Sequence, residues 1–596
     1  MTYLRTLCAA IAIAGCGATA SPATSPPAAA LAATPMVWCR PAEPCWPSSQ
    51  DWQQLASHLH GKLEQPRSPI EACQHDAAST ACTAAQRAVT NPYFLEDQLG
   101  ATQSAGWLDA WLPVLSPYAI VAQDAGDVAA GVRFAVAHRL RIAIKATGHD
   151  YLGRSSAPDS LLIWTHAMRE VSVLDAFVPQ GCTTPPVPAV RVGAGTRWLE
   201  AYQAVTVEHH RYVQGGGCTS VGAAGGFLQG GGFGSWSKKY GTAAAGLLEA
   251  EVVTANGDTI IANACQHADL WWALRGGGGG TFGVVTKATL MTQPLPTTFG
   301  SLSGKIYAKS DDAFRELLVR FVAFYRDRLN NEHWGESVNV DPGNVLELSL
   351  AFQGLSETEA EAVWQPLRAW LAEHPDRYTV DFSVHALPAE KMWSYDFFHT
   401  YAANAIVADD RPEAPRGHFW WAGDAEQVYI YWFAYRSRWL PIELFEGDNA
   451  PKLAAALFEA SRHSWFSLHF NKGLAGASED ALRRSRDTAT NPAVLHAAAL
   501  LLTGKARHVL PGVAGHEPDR AVAAAEIATV DAAMAVIRAI TPDAGSYVNE
   551  TDYFEPDWQR SFWGDNYQRL LQIKRAYDPH DVFACHHCVG SEVRGL

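Results

Sequence analysis

Two glycine runs constrain this chain more than any other feature: GGGCTSVGAAGGFLQGGGFG over Gly215–Gly234 and RGGGGGTFGVV over Arg275–Val285. Glycine gives up the most backbone entropy on ordering, so neither run suits the interior of a helix or an ordinary strand. Turn-making accounts for one or two such residues. Two dense runs in one module are better explained by backbone drawn close to a large ligand, with N–H groups turned toward phosphate oxygens. That reasoning points to a nucleotide cofactor. Neither run is a P-loop, because GK[ST] is absent, and GAGTRW (Gly193–Trp198) fails the dinucleotide fingerprint with Trp198 at its third glycine position.

Around the runs, the apolar pattern predicts an α+β module spanning 113–295. A strand over Tyr118–Ala122, a helix capped by Asp127 with Val128, Val132, Ala135 and Val136 on one face, and a strand over Arg141–Lys145 make a β-α-β start. A strand at Ala189–Gly193, a helix over Trp198–His209 and a return through Tyr212 and Val213 follow. Next come a hairpin over Glu249–Ala262 turning on Asn256-Gly257, a helix at Asp269–Leu274 and a strand at Phe282–Leu290. The texture changes after Pro294 and Pro296. A helix carrying Phe314, Leu317, Leu318, Phe321, Val322 and Tyr325, a strand at Leu346–Phe352 and a helix over Ser356–Glu373 precede two aromatic strands, His418–Gly423 and Val428–Trp439. This reads as a sheet backed by helices over 296–545, with a compact tail, 546–596, containing a helix at Asn566–Tyr577.

At 596 residues the chain exceeds what one core organises. Its formal charge of -15 and lack of a basic patch argue against nucleic acid and anionic membranes as partners. Arg5 followed by the apolar Leu7–Gly15 reads as a signal peptide, 1–20, too short to span a bilayer. IAGC (Ile13–Cys16) resembles a lipobox that would acylate Cys16, while ATAS around Ala20 offers ordinary cleavage. An Ala/Pro/Ser tether, 21–35, and a Cys-containing segment, 36–112, complete the plan, and no later apolar run is long enough for a transmembrane helix. Of 11 cysteines, Cys8 and Cys16 lie in the signal, leaving an odd number. In an oxidising compartment the odd thiol is either free or committed to another covalent bond. CHHC (Cys585–Cys588) is an awkward tetrahedral zinc set in four consecutive residues, so disulfides are expected there and no metal is assigned.

KATGHDYLGRSS (Lys145–Ser156), the two glycine runs with DLWWAL before the second, and the tail YVNE…NYQRLLQIKRAYDPHDVF (Tyr547–Phe583) occur in this order. Together they resemble the berberine-bridge-enzyme-like, FAD-linked oxidases of the vanillyl-alcohol-oxidase, or PCMH-type, fold, from about Cys39 to the C-terminus. The resemblance implies a PCMH-type FAD-binding domain of two α+β subdomains (113–295), a substrate domain with an antiparallel sheet and flanking helices (296–545), and a C-terminal return (546–596). It implies covalent FAD held twice: His149 at the flavin 8α carbon and Cys218 as a thioether at C6. Removing Cys218 leaves eight exported cysteines, enough for four disulfides, with Cys39–Cys45 and Cys73–Cys82 as local pairs. The cofactor cradle implied by the first motif is Gly148, Gly153, Arg154, Ser155 and Ser156. The first glycine run contributes Gly216, Gly217, Thr219, Gly222, Gly225 and Gly226, then Gly230, Gly231 and Gly232. Gly283, Val284 and Val285 come from the second run, and Asn549 and Asn566 from the tail.

The resemblance implies hydride transfer from an alcohol to flavin N5 and reoxidation by molecular oxygen, yielding hydrogen peroxide; small Ala223 and Ala224 suit an approach of oxygen. A dehydrogenase using another acceptor, or a noncatalytic flavin-binding protein, would keep the same residues. Loss of hydride from an alcohol requires a base for its hydroxyl proton. Where many relatives read Y-x-N-Y, this tail reads Tyr547-Val548-Asn549-Glu550, which puts Glu550 in the place of a substrate-facing tyrosine; Tyr395, Asp396 and His399 are rivals. A carbohydrate or polyol and an aromatic alcohol are both open as substrate, and a secreted or periplasmic protein is expected.

Overall fold

The computed structural model describes residues 35–594. The expected signal peptide, the lipobox at Cys16 and the tether up to residue 34 lie outside the described residues.

The first sheet has four strands in the order Lys62–Glu64, Tyr118–Val121, Ser160–Trp164, Arg141–Lys145. The last three run parallel and the first antiparallel. The helix between its second and fourth strands spans Ala125–His138, and its cap is Asp124, not Asp127. Asp124 is extended and accepts from the Asp127 N–H at 3.1 Å. Asp127, one turn further in, instead accepts from the backbone N–H groups of His60, Gly61 and Gln123 at 2.8–2.9 Å. The sequence places two aspartates where one cap is needed, and the second fastens the N-terminal segment to the sheet.

The second sheet runs Thr259–Asn263, Leu247–Val253, Val284–Pro294, Val187–Gly193, Val171–Phe177, all antiparallel, with Arg211–Val213 on the far end of the long central strand. The predicted hairpin turns where expected, with Gly257 at φ +81°. The predicted helix from Trp198 is regular only through Tyr202 and widens into a π-turn over Gln203–Glu208.

The third sheet has eight strands: Tyr378–Pro388, Thr298–Ala308, Val345–Gln353, Trp334–Asp341, Phe466–His469, Ala497–Arg507, Tyr431–Pro441 and Gly106–Trp107. Only the last pairing is parallel, so the N-terminal segment adds an edge to the large sheet. Helices Asp311–Phe324, Glu357–Ala372, Asn449–Ser461 and Arg520–Ile540 share a core with it through Phe314, Trp364, Leu457 and Met534. Glu357–Ala372 begins with a capping box at Ser356 and Glu359. The aromatic segment His418–Gly423 departs from expectation. Only Phe419–Trp421 is extended, and it pairs with Ile406–Ala408 as a separate ribbon. The Phe419 carbonyl is taken by side chains, accepting from the Tyr93 hydroxyl at 2.9 Å and the Thr219 hydroxyl at 2.7 Å.

One core joins the glycine-rich module to the substrate sheet and the tail, since Trp198, Trp236, Phe299, Trp439, Trp563 and Leu570 belong to the same buried cluster. The tail helix Tyr567–Tyr577 is pinned by buried Lys574, which donates to the carbonyls of Thr281 (2.8 Å) and Phe583 (2.6 Å) and pairs with Asp578 (2.6 Å). Four disulfides form: Cys39–Cys45, Cys73–Cys82, Cys182–Cys265 and Cys585–Cys588. Cys218 is the one free cysteine among the described residues.

Candidate active site

The first glycine run has a closed side and an open side. A Cβ on Gly230 would stand 2.3 Å from the Asn549 amide, and one on Gly215 2.3 Å from the Trp198 ring. At Gly226 a Cβ would meet nothing within 4 Å, and at Gly217 only a Glu336 carboxylate oxygen at 3.8 Å. Both are exposed although their run is otherwise largely buried. Backbone bare of side chains, facing open space between packed loops, is the cradle a dinucleotide requires.

His149 lies against the glycine run that carries Cys218. Ser220, two residues beyond Cys218, has its hydroxyl 3.3 Å from His149 Nε2, although the two lie 71 residues apart. Thr147 Oγ1 is 3.5 Å from His149 Nδ1 and also accepts from the Gly222 N–H at 3.0 Å, tying the first motif to the glycine run. Burial, reinforced by the Arg197 guanidinium, pulls the imidazole down to about 3, so it is neutral. Burial pushes the Cys218 thiol well above its ordinary range, and Asp424 and Glu336 push it further. Asp424, whose charge acts on that thiol, is itself raised by burial to about 6.

Around the thiol stand charged groups from three segments. Glu550 is paired with Lys472, their side chains 21% and 10% exposed. The turn that carries Glu550 closes through its N–H to the Tyr547 carbonyl at 2.9 Å, and its own carbonyl accepts from Ser437. Burial raises Glu336, with the Ser235 hydroxyl and the Lys472 ammonium opposing and Glu550 adding to the rise. An aromatic wall completes the site: Tyr151 packs 5.4 Å from Tyr435 and 5.2 Å from Trp432. Burial raises both tyrosines, and the Glu550 charge adds to each.

The other expected residues fall into distinct places. Gly148 and Gly153 have φ of +83° and +74°, and a Cβ on Gly153 would strike the Trp111 ring at 2.4 Å. Arg154 pairs with Asp150 at 2.6 Å, and Ser155 is half-buried beside it. Ser156 donates to the Val114 carbonyl at 2.7 Å, and Asn566 to that of Thr490 at 2.8 Å, so both brace loops with their polar groups. Gly216 accepts from the Tyr202 hydroxyl at 2.8 Å. Gly225 is half-buried beside Ala146, and Gly231 takes φ +115° against Thr490. The Gly232 N–H reaches the Tyr547 hydroxyl at 3.2 Å. Asn549 donates to the Gly226 carbonyl and the Tyr547 hydroxyl, each at 3.0 Å. Gly283 abuts Val253, and Val284 and Val285 are buried in the second sheet against Val253 and Val252. The rivals for the base lie on the helix Tyr395–Tyr401: Asp396 and His399 are exposed, Asp396 pairs with Arg416, and Tyr395 packs on Phe419 and His399. None of these partners belongs to the Glu550 cluster.

Glu336, Lys472, Asp424 and Glu96 were not singled out by sequence. Each comes from a segment without a motif, and Glu336 stands inside a strand at φ +66°, a conformation a sequence pattern does not announce.

With fold and site in view, comparisons with known proteins are specific. Residues 117–263 match the family model described as FAD binding domain, and 546–590 the one described as berberine and berberine like. The FAD-linked oxidoreductase easE of Epichloe festucae var. lolii is 33% identical over 94% of this chain and 91% of its own length. The crystal structure of the VAO-type flavoprotein MtVAO615 from Myceliophthora thermophila C1 superposes with a TM-score of 0.76 at 26% identity, over 94% of this chain and 98% of that one. The glucooligosaccharide oxidase of Acremonium strictum, described as carrying 6-S-cysteinyl, 8α-N1-histidyl FAD, shares the fold at a TM-score of 0.61 and 19% identity, over 88% of this chain and 99% of that one. The chain belongs to the FAD-linked oxidoreductases of the berberine-bridge-enzyme-like, vanillyl-alcohol-oxidase type. Among the described residues no helix is long and apolar enough to cross a membrane.

Proposed function

We propose that this chain is an exported oxidase that carries FAD bound through both His149 and Cys218 and oxidises an alcohol, with molecular oxygen as acceptor. The observation that carries the reading is the convergence of a neutral His149 and the unpaired Cys218 through Ser220 beside the open glycine backbone. The doubly linked flavin described for the Acremonium strictum enzyme supports it. In this reading 113–295 and 546–596 bind the cofactor, and 296–545 covers its reactive face.

FAD held there would supply the hydride acceptor and, once reduced, the electrons for oxygen. Glu550 accepts the hydroxyl proton of the alcohol, and Lys472 holds its carboxylate in position. Tyr151, Trp432 and Tyr435 offer ring faces against which a sugar or aromatic ring stacks. Cys218 would hold the flavin as its second anchor, and Asp424 beside it is the group that would receive the thiol proton. Buried Ala223 and Ala224 keep the backbone beside the cradle free of bulk, which suits the approach of oxygen.

The test is denaturation of the holoprotein followed by peptide-resolved mass and absorption. Flavin retained in both His149→Ala and Cys218→Ala but lost in the double variant is the expected result. Release of free FAD from the unaltered protein would remove the covalent assignment. For the acceptor, substrate-reduced protein is mixed with air or with a quinone; reoxidation slow in air and fast with the quinone would replace the oxidase by a dehydrogenase.

A further inference from the structure

The N-terminal segment places one buried carboxylate behind the histidine anchor. Asn91 caps the short helix Pro92–Glu96, accepting from the N–H groups of Tyr93 and Phe94, and so fixes where Glu96 points. The Glu96 and Arg197 side chains are both fully buried. Arg197 Nε binds Glu96 Oε2 at 2.5 Å, while its other nitrogens serve Asp97 at 2.8 Å and Glu200 at 3.2 Å. Glu96 Oε1 is left without a hydrogen-bond partner, 3.7 Å from His149 Nδ1. An unpaired buried carboxylate oxygen is costly unless something uses it. The family-model match begins at residue 117, so Glu96 lies ahead of the part that defines the FAD domain.

We propose that Glu96 is a positioning residue for flavin attachment: it orients the His149 ring and takes the imidazole N–H proton when the ring is joined to the cofactor. The proposal rests on the reading of His149 as a flavin anchor. Joining an imidazole nitrogen to the 8α carbon replaces one N–H and one methyl C–H with a C–N bond, releasing two protons and two electrons. The electrons enter the isoalloxazine and leave to dioxygen, which with two protons departs as hydrogen peroxide. One of those protons comes from the imidazole. Burial and the Arg197 charge disfavour a doubly protonated ring, so this proton must leave as the bond forms. Thr147 and Ser220, the other polar contacts of the ring, carry hydroxyls that are poor proton acceptors. Burial raises Glu96 while the Arg197 guanidinium bound at Oε2 holds it as a carboxylate, so its free oxygen Oε1 is a stronger proton acceptor than that of an ordinary glutamate.

The experiment uses full-length apoprotein from a riboflavin-starved host, mixed aerobically with FAD, stopped at intervals by denaturation and digested. Flavin on the His149 and Cys218 peptides is then measured separately. In Glu96→Gln, the His149 adduct should form roughly 100-fold more slowly or not at all, the scale of losing a proton acceptor. FAD should still bind at one per chain and the Cys218 adduct should still accumulate. A purely structural role would lower both adducts together. Wild-type kinetics at His149 in this variant would overturn the proposal. Should Glu96→Gln fail to bind FAD, Glu96→Asp decides: it keeps a charge for Arg197 but draws the oxygen back from the ring. Slowed His149 attachment with FAD bound supports the proposal, and an unchanged rate overturns it. Absence of any His149 adduct in the unaltered protein refutes the anchor reading itself, and that outcome is separate from any effect of Glu96.

Discussion

Replacing Glu550 with Gln keeps the shape of the turn, because the residue's N–H and carbonyl still meet Tyr547 and Ser437, and removes only the carboxylate charge. Two consequences separate. Loss of a general base costs roughly 10²–10⁴ in kcat, or about 3–5 kcal/mol in the barrier. The variant also strands the Lys472 ammonium, whose side chain is only 10% exposed. Breaking a fully buried pair costs about 3–5 kcal/mol; with Glu550 21% exposed, about 1–3 kcal/mol is the better expectation. For 596 residues this is a fall in Tm on the order of 1–3 °C. The double variant Glu550→Gln/Lys472→Met removes the stranded charge, so it should regain the stability and none of the activity. The assay is anaerobic stopped-flow reduction of the holoprotein by a reactive alcohol, beside calorimetric Tm values for the four proteins of the cycle. Flavin reduction in Glu550→Gln within threefold of the unaltered rate would refute the assignment of the base. Recovery of rate in the double variant would show that the stranded lysine, not the missing carboxylate, caused the loss.

Asp424 gives a pH-dependent test. Its carboxyl is raised from 3.8 to about 6, so folding favours the protonated form, and this contribution is complete below about pH 4 and lost as pH rises through about 6. Asp424→Asn should therefore match the unaltered protein near pH 3.5 and exceed it at pH 8 by about 1–3 kcal/mol, read from denaturant midpoints at each pH. The opposite sign would show the carboxylate to be stabilised in its ionised form. In the glycine run, Gly226→Val should fold with an unchanged Tm yet bind FAD poorly, because its side chain enters open space. Gly230→Ala must displace Asn549 and should cost about 1–3 kcal/mol. Equal FAD content in Gly226→Val and the unaltered protein would place the cofactor elsewhere.

The parts legible in the sequence are those whose requirement is local. Backbone approach needs contiguous glycines, so the cradle is visible as Gly215–Gly234 before any fold is known; the hairpin at Asn256-Gly257 is visible for a similar reason. Features created by contacts between distant segments carry no such signal. Asp124 and Asp127 are interchangeable as caps by composition, and only the approach of His60 and Gly61 separates their roles. His418–Gly423 has strand composition, yet Tyr93 and Thr219 claim the Phe419 carbonyl from segments far away in sequence. The charges around Cys218 and His149 come from the N-terminal segment (Glu96), one strand of the large sheet (Glu336), the turns that follow the Phe466–His469 strand (Lys472) and the aromatic ribbon (Asp424), and the tail (Glu550). Their meaning appears only when the sheet register is fixed.

The odd cysteine shows why such distant charges matter. A thiol exchanges with disulfides as its thiolate, so a low-pKa cysteine among four disulfides in an oxidising compartment would scramble them. Burial holds Cys218 protonated, and Asp424 and Glu336 reinforce that by opposing a second negative charge nearby. The thiol is thereby protected from exchange during folding. The same arrangement leaves Asp424, raised by burial to about 6, as a carboxyl whose charge acts on that thiol. Reactivity then waits on an electrophile held against the sulfur, and the open backbone at Gly217, adjacent to Cys218, is where the fold leaves room for one. In apoprotein, where Cys218 carries no flavin, Asp424→Asn should form a mixed disulfide with oxidised glutathione faster than the unaltered protein, because its neutral amide no longer opposes the thiolate, although burial still does. Equal rates by non-reducing peptide mapping would refute the role of the carboxylate in guarding the thiol.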